Sequence, residues 1–283
     1  MPTADLRPMT LGEVLDRTFT LYRERFLLFV GIATLPNLVM LLFRFGVLLI
    51  TRNPLGDGQP NLTSPGMVGG VIVGMLGGAV LLMILIGVTQ AATVAAVSEL
   101  FLGRETTVRG AYAAAKPHIG TVIGIMILSG LATGIGLLLL IIPGIYLACR
   151  LAVSVPVSVV ENESPVASME RSMELTRDYA GQMFLLLLLV MVLTYVVAMM
   201  LQLPVFFFAI TAAMAKRQVS LGVASYSYIA EFASQVLVGP IGTISAALMY
   251  YNLRVRKEGF DIQHLMNSLN AVPRPLADTP GIQ

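Results

Sequence analysis

Between Lys116 and Arg150, and again between Asp178 and Lys216, the chain carries no Lys, Arg, Asp or Glu. A helix crossing the hydrocarbon core of a bilayer needs about 20 apolar residues, so each run is long enough for at least one crossing. The composition agrees: 56% of the 283 residues are hydrophobic and 12% are charged, and the mean hydropathy is +0.82. Soluble globular domains carry about twice that share of charge. The chain reads as an all-α, polytopic membrane helical bundle.

The first residues, "MPTADLRPMTLGEVLDRTF", hold both charge signs and no uninterrupted apolar core. That is not the pattern of a cleavable signal peptide, so the first span is expected to stay in the membrane. Cys149 is the only cysteine, which rules out an intramolecular disulfide and argues against a thiolate metal site.

Apolar length and flanking charge divide the chain into six spans, at roughly 26–50, 68–97, 119–142, 145–160, 182–209 and 226–251. Pro143-Gly144 separates the third from the fourth and reads as the reversal between them. Lys and Arg gather in the N-terminal segment, the second-to-third loop, the fourth-to-fifth loop and the C-terminal segment, whereas only Arg52, Lys216 and Arg217 fall on the other side. By the positive-inside rule both termini are cytoplasmic, and the protein is a multi-pass protein of the cell membrane.

Two charged octets, "DRTFTLYR" at 16–23 and "ERSMELTR" at 170–177, share one pattern. In 11–25 the apolar positions Leu11, Val14, Leu15, Thr18, Phe19 and Tyr22 recur at helical spacing, and in 165–177 Val166, Met169, Met173 and Thr176 do the same. Ser164 and Pro165 stand where an N-cap and first helical residue belong. A weaker third copy is "TVRGAYAAAKPHIG" at 107–120. The chain thus parses as three repeats of an amphipathic interfacial helix plus two transmembrane helices, at about 10–100, 106–160 and 164–255. Together they form a single membrane domain over 1–262, and 263–283 is expected to be a short disordered cytoplasmic tail. The amphipathic helices are expected to bury their apolar faces among acyl chains, with Glu13–Arg17 and Glu174–Arg177 as helical ion pairs. Their arginines Arg17, Arg23, Arg171 and Arg177, with Arg254 and Arg256, are candidate contacts for lipid phosphate.

Glycines at 66, 70, 74 and 78, and at 120, 124, 130 and 134, suit close helix–helix contacts, and the same chemistry would serve a homodimer seam. Of the charges within spans, Arg44 can snorkel outward, whereas Arg150 and Glu231 lie at comparable depths and are expected to pair. The remaining polar groups in the spans are chiefly Asn37, Gln90, Gln202 and Gln235. A membrane-spanning cavity lined by Arg150, Glu231 and Gln202 would point to transport.

"LRPMTLGEVLDRTFTLYRERF", "IIPGIYLACRLAVSVPVSVVENESPVASMERSMELTR" and "LMYYNLRVRKEGFDI" resemble the membrane domain of bacterial glycerophosphoryl diester phosphodiesterases and related six-span membrane proteins. The distinctive positions are the Pro-Gly turn, Pro156, Glu161, Arg171-Ser172, Tyr251, Arg254, Arg256, Glu258 and Gly259. In that family hydrolysis belongs to a soluble domain bearing His-Arg-Gly, which this chain does not contain. The resemblance therefore implies a membrane module without the catalytic domain. His118 and His264 lie far apart with no flanking acid motif, and no phosphate loop, metal-ligand spacing or nucleophile elbow is present. No catalytic residue, cofactor or metal is expected.

The expected function is that of a non-catalytic membrane module that scaffolds a partner or organises lipid at the cytoplasmic face. A small transporter or lipid translocator is the alternative, and a lipid phosphodiester enzyme ranks third. Membrane lipids are the expected partners, with a docked protein or a second copy of the chain as further options and no nucleic acid.

Overall fold

A proline one turn into a helix removes an N–H and presses its ring against the carbonyl four residues earlier. Pro156 does this to Ala152, and the apolar stretch between Leu140 and Asn162 accordingly divides into α6 (Ile141–Leu151) and α7 (Ser154–Glu161). Ser154 Oγ donates to the Leu151 carbonyl at 2.8 Å, pairing one oxygen that the break frees. The expected single span at 145–160 is in this way two helices.

The computed structural model describes residues 8–51, 65–214 and 221–259. The other helices are α1 (Leu11–Glu24), α2 (Phe26–Thr51), α3 (Pro65–Phe101), α4 (Val108–Ala115), α5 (Ile119–Leu139), α8 (Pro165–Leu175), α9 (Ala180–Met214) and α10 (Leu221–Glu258). No strand occurs among the described residues. Six helical stretches are long and apolar enough to cross a membrane, so the chain is an all-α multi-pass membrane protein. The expected tail at 263–283 lies outside the described residues.

The reversal between the third and fourth spans does not fall at Pro143-Gly144. It is made by Leu140 alone, in an extended conformation (φ −161°, ψ 138°). Pro143 stands in the first turn of α6, where an N–H would have no helical partner in any case. Gly144 is where the arms of the hairpin touch: a Cβ there would lie 2.5 Å from the Leu137 nitrogen. Gly144→Val is therefore expected to force α5 and α6 apart and cost about 1–3 kcal/mol, read as a lower melting temperature of the purified protein.

In chain order the helices run short, long, long three times, with α6 and α7 counting as one long element. Each short helix begins with a hydroxyl cap: Thr10 accepts from the Glu13 N–H, Thr107 from Gly110 and Ser164 from Ala167. The fourth and eighth residues after each cap are buried, namely Val14 and Thr18, Ala111 and Ala115, Ser168 and Ser172. Small or β-branched side chains at those positions let each helix lie close against a long one. α1 packs on α10, α4 on α3 and α8 on α7, so α4 and α8 rest on the last long element of the preceding triplet and α1 on that of the third.

That packing corrects the expectation of apolar faces among acyl chains, because the partner surface is protein. Leu11, Leu15 and Tyr22 pack against the core, leaving Phe19 exposed, and in α8 the buried residues are Ser168, Ser172 and Leu175 rather than Val166. The expected Glu174–Arg177 pair is replaced by Glu174–Arg171 at 2.9 Å. Glu13 caps its own helix, accepting from the Thr10 N–H at 2.6 Å. Of the ridge glycines whose surroundings are described, only Gly78, against Phe43, and Gly124, against Pro165, stand close to a neighbouring side chain; Gly70, Gly74, Gly120, Gly130 and Gly134 face open space.

Asn252, buried in α10, fastens the chain ahead of α1. Its side-chain amide accepts from the Met9 N–H at 2.8 Å and donates to the Met9 carbonyl at 3.0 Å, and Arg256 donates to the same carbonyl at 2.6 Å. Tyr22, at the other end of α1, donates to the Leu237 carbonyl at 2.6 Å, so α1 lies antiparallel along α10 from Asn252 to Leu237. Asn252→Leu would leave the Met9 N–H unpaired at a cost of about 1–3 kcal/mol. The expected readout is faster proteolysis at the N-terminal segment with the six-span bundle intact.

Candidate functional site at the charged end

The ends of α3, α7 and α10 converge. Tyr251 donates to Ser98 Oγ at 2.9 Å and its ring stacks on Phe101 at 4.1 Å between centroids. Tyr250, fully buried, donates to Glu161 Oε1 at 2.8 Å. Around these tyrosines the packed core of the molecule is assembled, including Phe29, Val97, Val157, Leu175 and Leu248.

Glu161 is the hub of an ion network across α7, α8 and α10. Its carboxylate takes Arg171 Nε at 3.3 Å and stands 3.9 Å from Arg254 Nη1. Arg171 also pairs with Glu174 and with Glu258, and Arg254 Nε donates to Glu258 Oε2 at 2.8 Å. Asn162, in the left-handed conformation at φ 57°, ends α7 and lets α8 fold back beside it. Glu161 is only 17% exposed, so its carboxylate is turned largely toward the protein interior.

This arrangement redistributes the six candidate phosphate-binding arginines. Arg171 and Arg254 are matched by carboxylates within the protein. Arg256 is committed to the Met9 carbonyl and lies 5.5 Å over the Tyr179 ring. Arg17, Arg23 and Arg177 form no ion pair among the described residues, and Arg23 and Arg177 are exposed. Nearby, Arg25 forms a two-pronged bond to Glu105 at 2.5 and 2.9 Å, and this holds the Glu105 carboxyl below its ordinary range.

The expected Arg150–Glu231 pair does not form. Glu231 pairs with Arg44 of α2, whose guanidinium also lies 6.0 Å from the centre of the Tyr228 ring. Arg150 is held by α8 instead: it donates to Tyr146 Oη at 2.6 Å and to the Met173 carbonyl. Met173 lies in the last turn of α8, where carbonyls lack helical partners and the dipole favours a cation. The Arg150 carbonyl in turn accepts from Ser172 and Thr176 at 2.8 and 3.1 Å. Comparable depth was the only sequence signal for the pair, and depth does not say which helices are neighbours.

A cavity of about 270 Å³ lies among α3, α6–α7, α9 and α10. Arg150, Glu231 and Gln202 do not line it. Beyond it α10 runs through Ala247 to Leu253, every residue of which is buried. No group of three or more His, Cys, Asp or Glu residues that could hold a metal occurs among the described residues. The chain matches no protein-family model, no curated protein and no solved structure.

Proposed function

We propose that the protein is a non-catalytic membrane module whose charged end faces the cytoplasm and serves as a platform for anionic lipid and a docked partner. The observation that carries this reading is the division of labour among the arginines. Glu161, Glu174 and Glu258 neutralise Arg171 and Arg254 and lock three helices together, while Arg17, Arg23 and Arg177 stay outside the network. Cations on a rigid support attract phosphate at little ordering cost, and each near a membrane surface contributes about 1 kcal/mol. The positions that carry the resemblance to the phosphodiesterase membrane domain, Glu161, Arg171, Ser172, Tyr251, Arg254 and Glu258, are distant in sequence and meet at this end.

The test is extraction of the full chain into native lipid discs, with lipids and co-isolated proteins identified by mass spectrometry. Anionic lipid is expected to be enriched over the bulk membrane, and the enrichment should disappear when Arg17, Arg23 and Arg177 are all replaced by Gln. Discs with bulk composition and no stoichiometric protein partner would sink the reading. Transport is the second reading, and the cavity within the bundle is the observation that favours it.

A further inference from the structure

The cavity is walled mainly by carbon: Met183, Leu186, Leu187 and Val190 of α9, with Val155 and Pro156 of α7, are its large apolar side chains. No residue that lines it is ionisable. Three polar side chains interrupt these walls, Gln90 from α3 with Thr243 and Ser245 from α10, and neither Gln90 nor Thr243 forms a hydrogen bond among the described residues. Elsewhere in the bundle the hydroxyls of Thr34, Thr89 and Thr194 each bond the carbonyl four residues back, as Ser245 does in the lining itself. Thr243 does not, so its hydroxyl is left for another partner. On α3, one turn from Gln90, Thr93 is fully buried and its hydroxyl is also unpartnered. At the rim, Gln235 is exposed and extends toward Gly239, its Oε1 lying 3.8 Å from where a Cβ would stand.

Unpaired amides and hydroxyls in an apolar surrounding are costly, and water cannot offset that cost within hydrocarbon. A charged head would be worse off still, because no opposite charge faces it. A cavity of this size equals roughly nine water molecules and falls below the range for whole drug-sized ligands. It fits a compact polar head and the first carbons of a chain, whose remainder can run over the exposed Leu185 and Leu189 of α9. We propose that this cavity binds the uncharged head of a membrane amphiphile, a neutral lipid bearing hydroxyl and ester groups, with Gln90 and Thr243 as its hydrogen-bonding partners. The site is separate from the arginine platform, and either can fail without the other.

The experiment uses the full chain in phosphatidylcholine nanodiscs doped with 1,2-dioctanoylglycerol or, separately, with dioctanoyl phosphatidic acid. Retained lipid is counted by native mass spectrometry after release from the disc. One dioctanoylglycerol per protein is expected, with phosphatidic acid not retained. Gln90→Leu with Thr243→Val keeps the volume and removes both partners, which should weaken retention about tenfold or more. Ala246→Leu, which narrows the lining, should reduce it independently. The polar-to-apolar pair is expected to leave the melting temperature unchanged or raised, since replacing unpaired polar groups is neutral or stabilising. Equal retention of phosphatidic acid, wild-type retention in both variants, or absence of retained diacylglycerol in the parent protein would each overturn the proposal.

Discussion

Glu231→Gln is expected to reduce the amount of folded protein recovered from membranes severalfold, and Arg44→Met in the same chain should restore much of it. The two side chains form an ion pair between α2 and α10, 28% and 39% exposed. Removing the carboxylate leaves the guanidinium without its counter-charge, and an uncompensated Arg within a span costs up to about 2.5–3.5 kcal/mol, the figure for the bilayer centre. The Tyr228 ring at 6.0 Å offsets part of that, at roughly 0.5–2 kcal/mol for a cation over an aromatic face. Removing both charges leaves nothing stranded, and such exchanges are often neutral. Recovery that is unaffected by Glu231→Gln, or a double variant as poor as the two losses combined, would show that the pair does not couple the helices. Replacing Arg150 by Gln tests the alternative, and it should not interact with Glu231→Gln.

The second large effect is expected from Glu161→Gln, at about 2–3 kcal/mol of stability. One carboxylate serves Arg171, Arg254 and the Tyr250 hydroxyl, and so links α7 to both α8 and α10. A glutamine keeps the shape but brings an N–H to a place that already has donors on every side. Tyr250→Phe alone removes one donor and should cost about 1 kcal/mol. Because the two groups touch, the double variant should lose less than the sum, with a coupling of at least about 0.5 kcal/mol. A melting temperature unmoved by Glu161→Gln would mean that α7 is held to α8 and α10 without its carboxylate.

Much of the local structure was legible. The charge-free runs give the long helices, because in hydrocarbon a backbone must pair its own groups. Ser164 and Pro165 give the start of α8 to the residue, because capping is a contact between near neighbours. The break at Ala152 was equally local and equally available, since Pro156 acts four residues back; the length of the apolar run concealed it. The reversal was misplaced by three residues because Gly144 looked like a turn former, whereas its lack of a Cβ serves the contact with Leu137.

The candidate site was legible only as a list of arginines. Sequence marked Arg17, Arg23, Arg171, Arg177, Arg254 and Arg256 alike, since all flank spans on one side. Arg171–Glu174 and Arg254–Glu258 are neighbours along single helices, but joining them into one network depends on Glu161 arriving beside Arg254 and Glu258 beside Arg171, a meeting of residues far apart in the chain. Embedded charge was treated the same way: Arg44, set aside as a snorkelling residue, is the partner of Glu231, and Arg150 is a cap for α8. Solvent preference and hydrogen-bonding reach act over a few residues, so the sequence by itself determined that the chain crosses membranes as helices, where most of them start and which side of them is basic. Which helix lies against which is a property of three-dimensional packing. The tertiary structure alone therefore decided which charges cancel, which hydroxyls stay unpaired around the cavity, and hence where a ligand could bind.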